Sequence, residues 1–328
     1  MRPIFVEMKA VDMVLAPLSW LYGVAVGVRN ALYDYGLLRE VCFPVTIISV
    51  GNLAVGGTGK TPHVIRFARL LHERGKRVAV LSRGYRRRSR GFRLVSEGSK
   101  PQEVGDEPLE MRRKLPADVL IAVDRDRVNG VRELLRTEPH LDVILLDDGL
   151  QHRRLGRDLD IVLTDYSRPY PADHLLPWGR LREPVEGASR ARVVIVTKSP
   201  QGTAETQEWR ERLHLEPEQQ LYFSTLTYDT SELGEARRVL LVCGIANPRP
   251  LIQELERRGL EVEPLLFGDH HNFGTRDLRR IRSRAQGVDC VVTTAKDAAR
   301  LEGRLNARVV EIDVEVAGFN ITDYVRED

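Results

Sequence analysis

Cysteine is scarce in this sequence, and the three that occur are far apart. Cys42, Cys243 and Cys290 form no CxxC pair, and their number is odd. A structural zinc site or a disulfide framework needs paired or closely spaced cysteines, so the sequence favours neither. This cysteine usage is typical of a protein from a reducing compartment.

An excess of one charge and a long apolar run are also missing. The formal net charge of +3 over 328 residues is too small to argue for nucleic-acid binding. The N-terminus shows no secretory signal pattern. Met13–Val28 is uncharged but only 16 residues long, whereas a membrane-spanning helix needs roughly 20. Because this stretch carries Trp20 and Tyr22, we expect a helix lying in the membrane interface; a helix packed on the protein core is the alternative.

Short β-branched runs alternate with helical segments from Val45 to Lys198, and each run is too apolar for a half-exposed strand. This pattern predicts an α/β doubly wound domain with a mostly parallel sheet. A second, smaller α/β series begins near Val239. The partly alternating runs Leu221–Thr230 and Val310–Val316 predict two strands that join the domains.

A glycine-rich loop lies between the first predicted strand and a helix, which is the context that a phosphate-binding loop (P-loop) requires. Its backbone N–H groups converge on phosphate oxygens, Lys60 reaches the β- and γ-phosphates, and the Thr61 hydroxyl binds Mg²⁺. Ala54 replaces the usual first glycine of the motif. The predicted nucleotide-binding residues are Ala54, Val55, Gly56, Gly57, Thr58, Gly59, Lys60 and Thr61.

Two carboxylates follow the apolar run Val143–Leu146 directly. A carboxylate at the end of a buried strand beside a P-loop is the Walker B arrangement, which holds Mg²⁺. Adjacent residues of a strand point to opposite faces, so we expect only one of Asp147 and Asp148 to contact the metal. The residues alone do not decide which one.

Six arginines fall between Arg83 and Arg93. Such a run is either a solvated basic loop or a surface that receives phosphate or an anionic membrane. The residues alone leave both alternatives open.

These motifs together resemble the tetraacyldisaccharide 4'-kinases, which phosphorylate the lipid A precursor. The resemblance runs from about Leu18 to Thr294, and its specificity lies in the order of several motifs. These are Ser49-Val-Gly-Asn-Leu, Val55-Gly-Gly-Thr-Gly-Lys-Thr, Leu81-Ser-Arg-Gly-Tyr-Arg-Arg, Gly105-Asp-Glu-Pro, Asp147-Asp-Gly-Leu-Gln-His-Arg, Leu176-Pro-Trp-Gly-Arg-Leu-Arg-Glu-Pro and Asp269-His-His-Asn-Phe.

The resemblance implies a role for several further side chains. A sugar hydroxyl is a poor nucleophile and needs a base; Asp106 matches the family's catalytic aspartate, and His270 matches its dyad partner. Glu183 matches a position near the metal. The residues implied in substrate binding are Arg83, Tyr85, Arg86 and Arg127.

The implied enzyme transfers the γ-phosphate of ATP, with Mg²⁺, to the 4'-hydroxyl of a tetraacyl glucosamine disaccharide 1-phosphate. We expect an anionic acylated substrate, contact with the membrane surface and no obligatory protein partner. The expected location is peripheral, at the cytoplasmic face of the inner membrane. The alternative is a P-loop GTPase of the metal-chaperone or partner-switching type, because Val196-Thr-Lys198 faintly matches a guanine-recognition motif; Pro200 stands where that motif has Asp.

The predicted organisation has five parts. They are the membrane-interfacial helix 1–28, the P-loop kinase domain 29–219, the linker strand 220–234, the smaller α/β domain 235–306, and the return linker strand with the tail 307–328.

Overall fold

The computed structural model describes residues 10–245, 247–268, 271–301 and 303–325. The chain forms two compact units. Unit 1 comprises the residues up to Thr225 together with those from Val316 onward, and unit 2 is Leu226–Glu315. The boundaries fall inside two strands, between Thr225 and Leu226 and between Glu315 and Val316.

The helices and strands alternate through most of the chain. The α-helices are α1 Ala10–Asp34, α2 Lys60–Glu73, α3 Pro101–Val104, α4 Asp106–Lys114, α5 Arg127–Thr137, α6 Gln207–Arg212, α7 Arg249–Arg257, α8 Thr275–Arg284 and α9 Ala295–Leu301. The strands are β1 Thr46–Gly51, β2 Val78–Ser82, β3 Arg93–Leu94, β4 Leu120–Val123, β5 Val143–Asp147, β6 Leu159–Asp165, β7 Val193–Thr197, β8 Gln220–Asp229, β9 Arg238–Cys243, β10 Glu261–Leu266, β11 Cys290–Thr294 and β12 Arg308–Val316.

The sheet of unit 1 has the strand order β8-β7-β6-β1-β5-β2-β4-β3. Its pairs are parallel except for the short edge strand β3, which runs antiparallel to β4. Every residue of β1, β5 and β7 is buried, because helices cover both faces of a parallel sheet. The α/β doubly wound fold with a mostly parallel sheet is therefore confirmed.

The C-terminal tail contributes side chains to the core of unit 1. Phe319, Ile321 and Val325 are buried in the same cluster as Phe67 of α2. The ring centroids of Phe67 and Phe319 lie 5.4 Å apart. Burial of three apolar side chains outweighs the cost of ordering this segment, so the boundary of unit 1 differs from the predicted end of the kinase domain at 219.

Unit 2 contains four parallel strands in the order β10-β9-β11-β12. Two apolar clusters fill it, one around Val239, Leu241 and Leu255 and the other around Leu240 and Ile281. Neighbouring residues of β9 therefore point into different clusters, as the period of two in a strand requires.

Helix α1 is longer than the predicted segment 1–28, since it continues to Asp34; residues 1–9 lie outside the described part. None of the helices that the structure describes is long and apolar enough to cross a membrane.

Candidate active site

The P-loop connects the carboxyl end of β1 to the first turn of α2. Gly56 and Gly59 have φ angles of 119° and 84°, which lie in the region where a Cβ atom is unfavourable. Gly59 precedes Lys60, the first residue of α2, so the positive end of the helix faces the loop. Asn52 donates a hydrogen bond of 2.8 Å from Nδ2 to the Thr58 hydroxyl. The loop is thus shaped to receive an anion.

A short turn segment, Leu175–Arg182, borders the first half of the P-loop; we call it the wall segment. The Val55 amide donates to the Arg180 carbonyl at 2.7 Å, and the Arg182 amide donates to the Leu53 carbonyl at 2.7 Å. These bonds flank an antiparallel bridge between Ala54 and Leu181. The wall segment therefore fixes the course of the P-loop backbone.

Asp147 is the buried member of the Walker B pair. Its Oδ2 accepts a hydrogen bond of 2.9 Å from the Ser82 hydroxyl, whereas Oδ1 is buried without a hydrogen-bond partner among the described residues. Burial, and then the charge of Asp148, raise the pKa of Asp147. A buried carboxylate oxygen without a donor fits a Mg²⁺ ligand, with the buried Thr61 hydroxyl as the second protein ligand.

Within the described ranges, no cluster of three or more His, Cys, Asp and Glu side chains could hold a metal by itself. P-loop enzymes in general bind Mg²⁺ with few protein ligands and with the phosphates of the nucleotide.

Asp148 faces the cations instead. Its φ of 57° is unusual for a residue with a side chain and turns the carboxylate toward Arg182, whose two terminal nitrogens each donate a bond of 2.7 Å. Lys60 Nζ lies 3.7 Å from Oδ1 of Asp148 and donates to Asn52 Oδ1 at 3.2 Å. Burial favours the neutral acid, but Arg182 and Lys60 outweigh it and lower the pKa of Asp148 to about 2. Asp148 therefore stays ionised and holds both cations at the mouth of the P-loop.

Arg127 lies beneath the Walker B pair. It is only 2% exposed and donates to the Asp147 carbonyl at 3.0 Å and to the Asp124 carbonyl. Burial lowers its pKa to about 10, so it remains a cation at neutral pH. The predicted substrate contact of Arg127 stays a prediction; in this structure its guanidinium supports the Asp147 backbone.

Asp106 is the first residue of α4 and is exposed. The turn before it packs tightly, because a Cβ on Gly105 would lie 3.0 Å from the Tyr85 carbonyl oxygen and a Cβ on Gly84 would lie 2.8 Å from the Val104 carbonyl oxygen. These contacts bring the predicted base next to the segment that carries the predicted substrate residues.

The arginine run is a loop with one buried member. Arg87 donates to the Gly91 carbonyl at 2.8 Å and is buried, so it holds the loop in shape. Arg83, Tyr85 and Arg86 are exposed, and the Arg86 guanidinium lies 5.3 Å from the Tyr85 ring centroid. The structure therefore leaves the predicted substrate residues accessible.

Glu183 follows the wall segment and is buried. Its carboxylate accepts bonds from Arg190 at 2.5 Å, Gln151 at 2.8 Å and Asn30 of α1 at 3.2 Å. Both oxygens are thus engaged by protein donors. A metal contact by Glu183 stays a prediction.

The carboxyl end of β7 supplies a further contact to the P-loop. Lys198, with φ of 57°, donates to the Gly57 carbonyl at 2.7 Å and to the Asp165 carboxylate at 2.6 Å.

The predicted catalytic partner His270 lies outside the described residues. Its neighbour His271 belongs to unit 2, where Nε2 lies 3.0 Å from the Asp277 carboxylate.

Comparison with known proteins shows the family to which the chain belongs. The family model described as tetraacyldisaccharide-1-P 4'-kinase matches residues 11–324. The chain belongs to this kinase family.

Curated relatives and a solved structure agree with that assignment. A tetraacyldisaccharide 4'-kinase of Phocaeicola vulgatus is 42% identical over 96% of this chain and 95% of its own length. One from Bacteroides fragilis is 45% identical over 96% of this chain and 93% of its own. The crystal structure of LpxK from Aquifex aeolicus in complex with ATP is 32% identical, with a TM-score of 0.77, and covers 94% of this chain and 96% of that one.

Membership of the kinase family does not favour the GTPase alternative, and in unit 1 Lys198 is bonded to the P-loop and to Asp165.

Sequence reasoning missed Arg182, although its motif was noted. The available signal was the alternation of Arg180 and Arg182 around the buried Leu181, which predicts an extended segment with both arginines on one face.

Proposed function

We propose that this chain is the kinase that transfers the γ-phosphate of ATP to the 4'-hydroxyl of a tetraacyldisaccharide 1-phosphate, the precursor of lipid A. The observation that carries the proposal is the family match over residues 11–324, joined to a P-loop whose Lys60 lies beside the Walker B carboxylates. The reaction is a phosphoryl transfer to an alcohol and uses ATP with Mg²⁺.

The residues divide the chemistry between them. Lys60 and the P-loop amides stabilise charge on the β- and γ-phosphates. Thr61 and Asp147 hold Mg²⁺, which neutralises phosphate charge when bound. Asp106 accepts the proton of the attacking hydroxyl, with His270 as its partner. The choice of Asp147 over Asp148 is supported by the Oδ1 of Asp147, which has no hydrogen-bond partner in the part of the chain that the structure describes, and by the pairing of Asp148 with Arg182.

The basic loop receives the substrate. Its exposed Arg83 and Arg86 match the negative charge of a disaccharide phosphate, and the close packing of Gly105 on Tyr85 supports a base at the edge of the same surface. Arg127 contributes from below, through Asp147.

We propose further that α1 attaches the enzyme to the cytoplasmic face of the inner membrane as a peripheral protein. The support is an exposed apolar stripe on this helix, in which Trp20 is 71% and Leu21 is 60% exposed. Apolar side chains at helical spacing on an exposed face are typical of a helix that lies in the membrane interface. The stripe consists of Val14, Leu18, Trp20, Leu21, Val24 and Val28.

The transfer is tested with [γ-³²P]ATP and disaccharide 1-phosphate lipid in mixed micelles. We expect radioactive lipid with ATP and far less with GTP, and none with Lys60→Ala. Equal transfer to a water-soluble sugar acceptor would contradict the lipid specificity, and undiminished transfer by Lys60→Ala would contradict the P-loop assignment.

The attachment is tested by flotation with anionic vesicles. Trp20→Ser with Leu21→Ser should leave the protein in the soluble fraction, because the apolar area that enters the interface is lost. The control is Leu266→Ser, which changes a 46% exposed leucine of β10. If the double variant still floats with the vesicles, the stripe is not the anchor.

A further inference from the structure

We propose that the face of α1 opposite the exposed apolar stripe positions the nucleotide site, and that Ser19 and Tyr22 are its positioning residues. The proposal rests on the P-loop nucleotide site described above but not on the identity of the lipid acceptor. It assigns α1 a task in unit 1 that is separate from the exposed apolar stripe.

The helix has two distinct faces. At 100° per residue, Leu21, Val24 and Val28 lie within about 60° of one another on the exposed side, whereas Ser19 and Tyr22 lie about 100° to 180° away from them. Ser19 is 5% exposed, in contrast to its neighbour Trp20. The polar groups of α1 at these two positions therefore face protein, where a simple membrane anchor would need only apolar packing.

Both polar side chains bind the wall segment. The Ser19 hydroxyl donates to the Leu175 carbonyl at 2.8 Å and accepts from the Trp178 amide at 2.9 Å. The Tyr22 hydroxyl donates to the Arg182 carbonyl at 2.6 Å. The two ends of the wall segment are thus each tied to one turn of α1.

The other side of the wall segment contacts the nucleotide site directly. The Arg182 amide donates to the Leu53 carbonyl of the P-loop entry at 2.7 Å, and its guanidinium holds Asp148. One residue therefore joins the Tyr22 hydroxyl to the P-loop backbone and to the Walker B carboxylate. The carbonyl, the amide and the side chain of Arg182 share one Cα atom, so we expect a shift of its carbonyl to perturb both contacts.

A neighbouring contact supports the same coupling. Asn30 of α1 donates to Glu183 at 3.2 Å, and Gln151 bridges Glu183 and the Asn52 carbonyl with bonds of 2.8 Å and 3.0 Å. Two bonded routes thus connect α1 with the residues at the end of β1. Deletion of residues 1–28 would cut the first route and the membrane stripe together, so point substitutions are needed to separate them.

The test measures ATP binding without lipid, by calorimetry with a non-hydrolysable ATP analogue and Mg²⁺ on the full chain. Tyr22→Phe should weaken binding roughly threefold to tenfold, the equivalent of one hydrogen bond, while flotation with vesicles stays as in the wild type. Ser19→Ala should have an effect of the same direction.

Tyr170→Phe is the matched control, because it removes a tyrosine hydroxyl that donates to the backbone carbonyl of Leu213 at 2.7 Å, in the same unit. Thermal denaturation of all variants reports their stability. We expect Tyr170→Phe to lower Tm at least as much as Tyr22→Phe but to bind ATP like the wild type.

Wild-type affinity in a folded Tyr22→Phe variant would overturn the proposal. So would weakened binding by both tyrosine variants in proportion to their loss of Tm, since that result shows general destabilisation. Either of these two results leaves the kinase assignment intact, provided that the wild type binds the analogue. A wild type that does not bind the analogue would refute both this proposal and the kinase assignment.

Discussion

Arg182→Lys tests whether the Arg182–Asp148 pair contributes to the nucleotide site. The change keeps the positive charge but replaces a planar fork with a single ammonium group. In the structure the fork makes two bonds of 2.7 Å to Asp148 and one of 3.1 Å to the Asn52 carbonyl. The fork also donates to Asn52 Oδ1. A lysine ammonium has three N–H donors and cannot make all four bonds, so at least one charge-assisted bond is lost.

The expected magnitude follows from these bonds. A hydrogen bond to a charged group contributes about 1.5–3 kcal/mol, and the Arg182 and Asp148 side chains are only 20% and 30% exposed, which limits solvent screening. That range corresponds to a roughly tenfold to 150-fold loss of kcat/KM for ATP. The introduced lysine and Lys60, 3.7 Å from Asp148, still balance the charge of the carboxylate, so we expect much of the loss as a raised KM.

The assay is initial-rate kinetics with ATP varied and lipid saturating. Arg77→Lys is the control, because Arg77 forms the same kind of fork on Asp142, with bonds of 3.3 Å and 3.0 Å before the first residues of β2 and β5. The Arg77 side chain is 51% exposed, although that of Asp142 is only 13% exposed. Solvent therefore screens this pair at the arginine, and Arg77→Lys should change kcat/KM by less than about twofold. If Arg182→Lys also stays within twofold, the Arg182–Asp148 pair has no part in the nucleotide site.

Three further predictions concern other contacts of the site. Lys198→Met removes the bond to the Gly57 carbonyl and should raise KM for ATP about threefold to tenfold; an unchanged KM would show that the P-loop holds its shape alone. Burial, then the charges of Arg127 and Arg83, lower the pKa of His152 to about 4; the unfolded chain binds a proton below about 6.5, so the native state loses stability as pH falls from 7 to 5, by at most about 2 kcal/mol. Denaturant unfolding of His152→Gln should lack this loss, and an equal loss in both proteins would contradict it. Asp106→Ala and His270→Ala should each lower kcat by roughly two orders of magnitude, with the double variant little worse than the worse single; fully multiplicative losses would show independent roles.

The main strands and the P-loop could be predicted because their signals are local. Strands buried on both faces must be apolar throughout, as β5 shows from Val143 to Leu146. The glycines, Lys60 and Thr61 are contiguous, so their spacing alone defines the anion site. The same holds for the carboxylates that end β5.

The remaining contacts depend on pairings that a single sequence does not reveal. Arg182 and Asp148 are 34 residues apart in the chain, and nothing in either residue marks the other as its partner. Nothing in the spacing of the tail residues Phe319 and Ile321 predicts that they pack in one apolar cluster with Phe67. Glu183 is likewise buried because Arg190 and Asn30 of α1 donate hydrogen bonds to it, and sequence periodicity does not predict these contacts.

The central claim is the transfer of phosphate from ATP to one particular hydroxyl of the lipid. The most direct measurement is ¹H–³¹P correlation NMR of the product formed by the wild-type enzyme from ATP and tetraacyldisaccharide 1-phosphate. The account predicts a new phosphomonoester signal correlated with the proton at the 4'-carbon, and its absence with Lys60→Ala. A new phosphate on any other hydroxyl, or ATP consumption that gives inorganic phosphate and unmodified lipid, would contradict it.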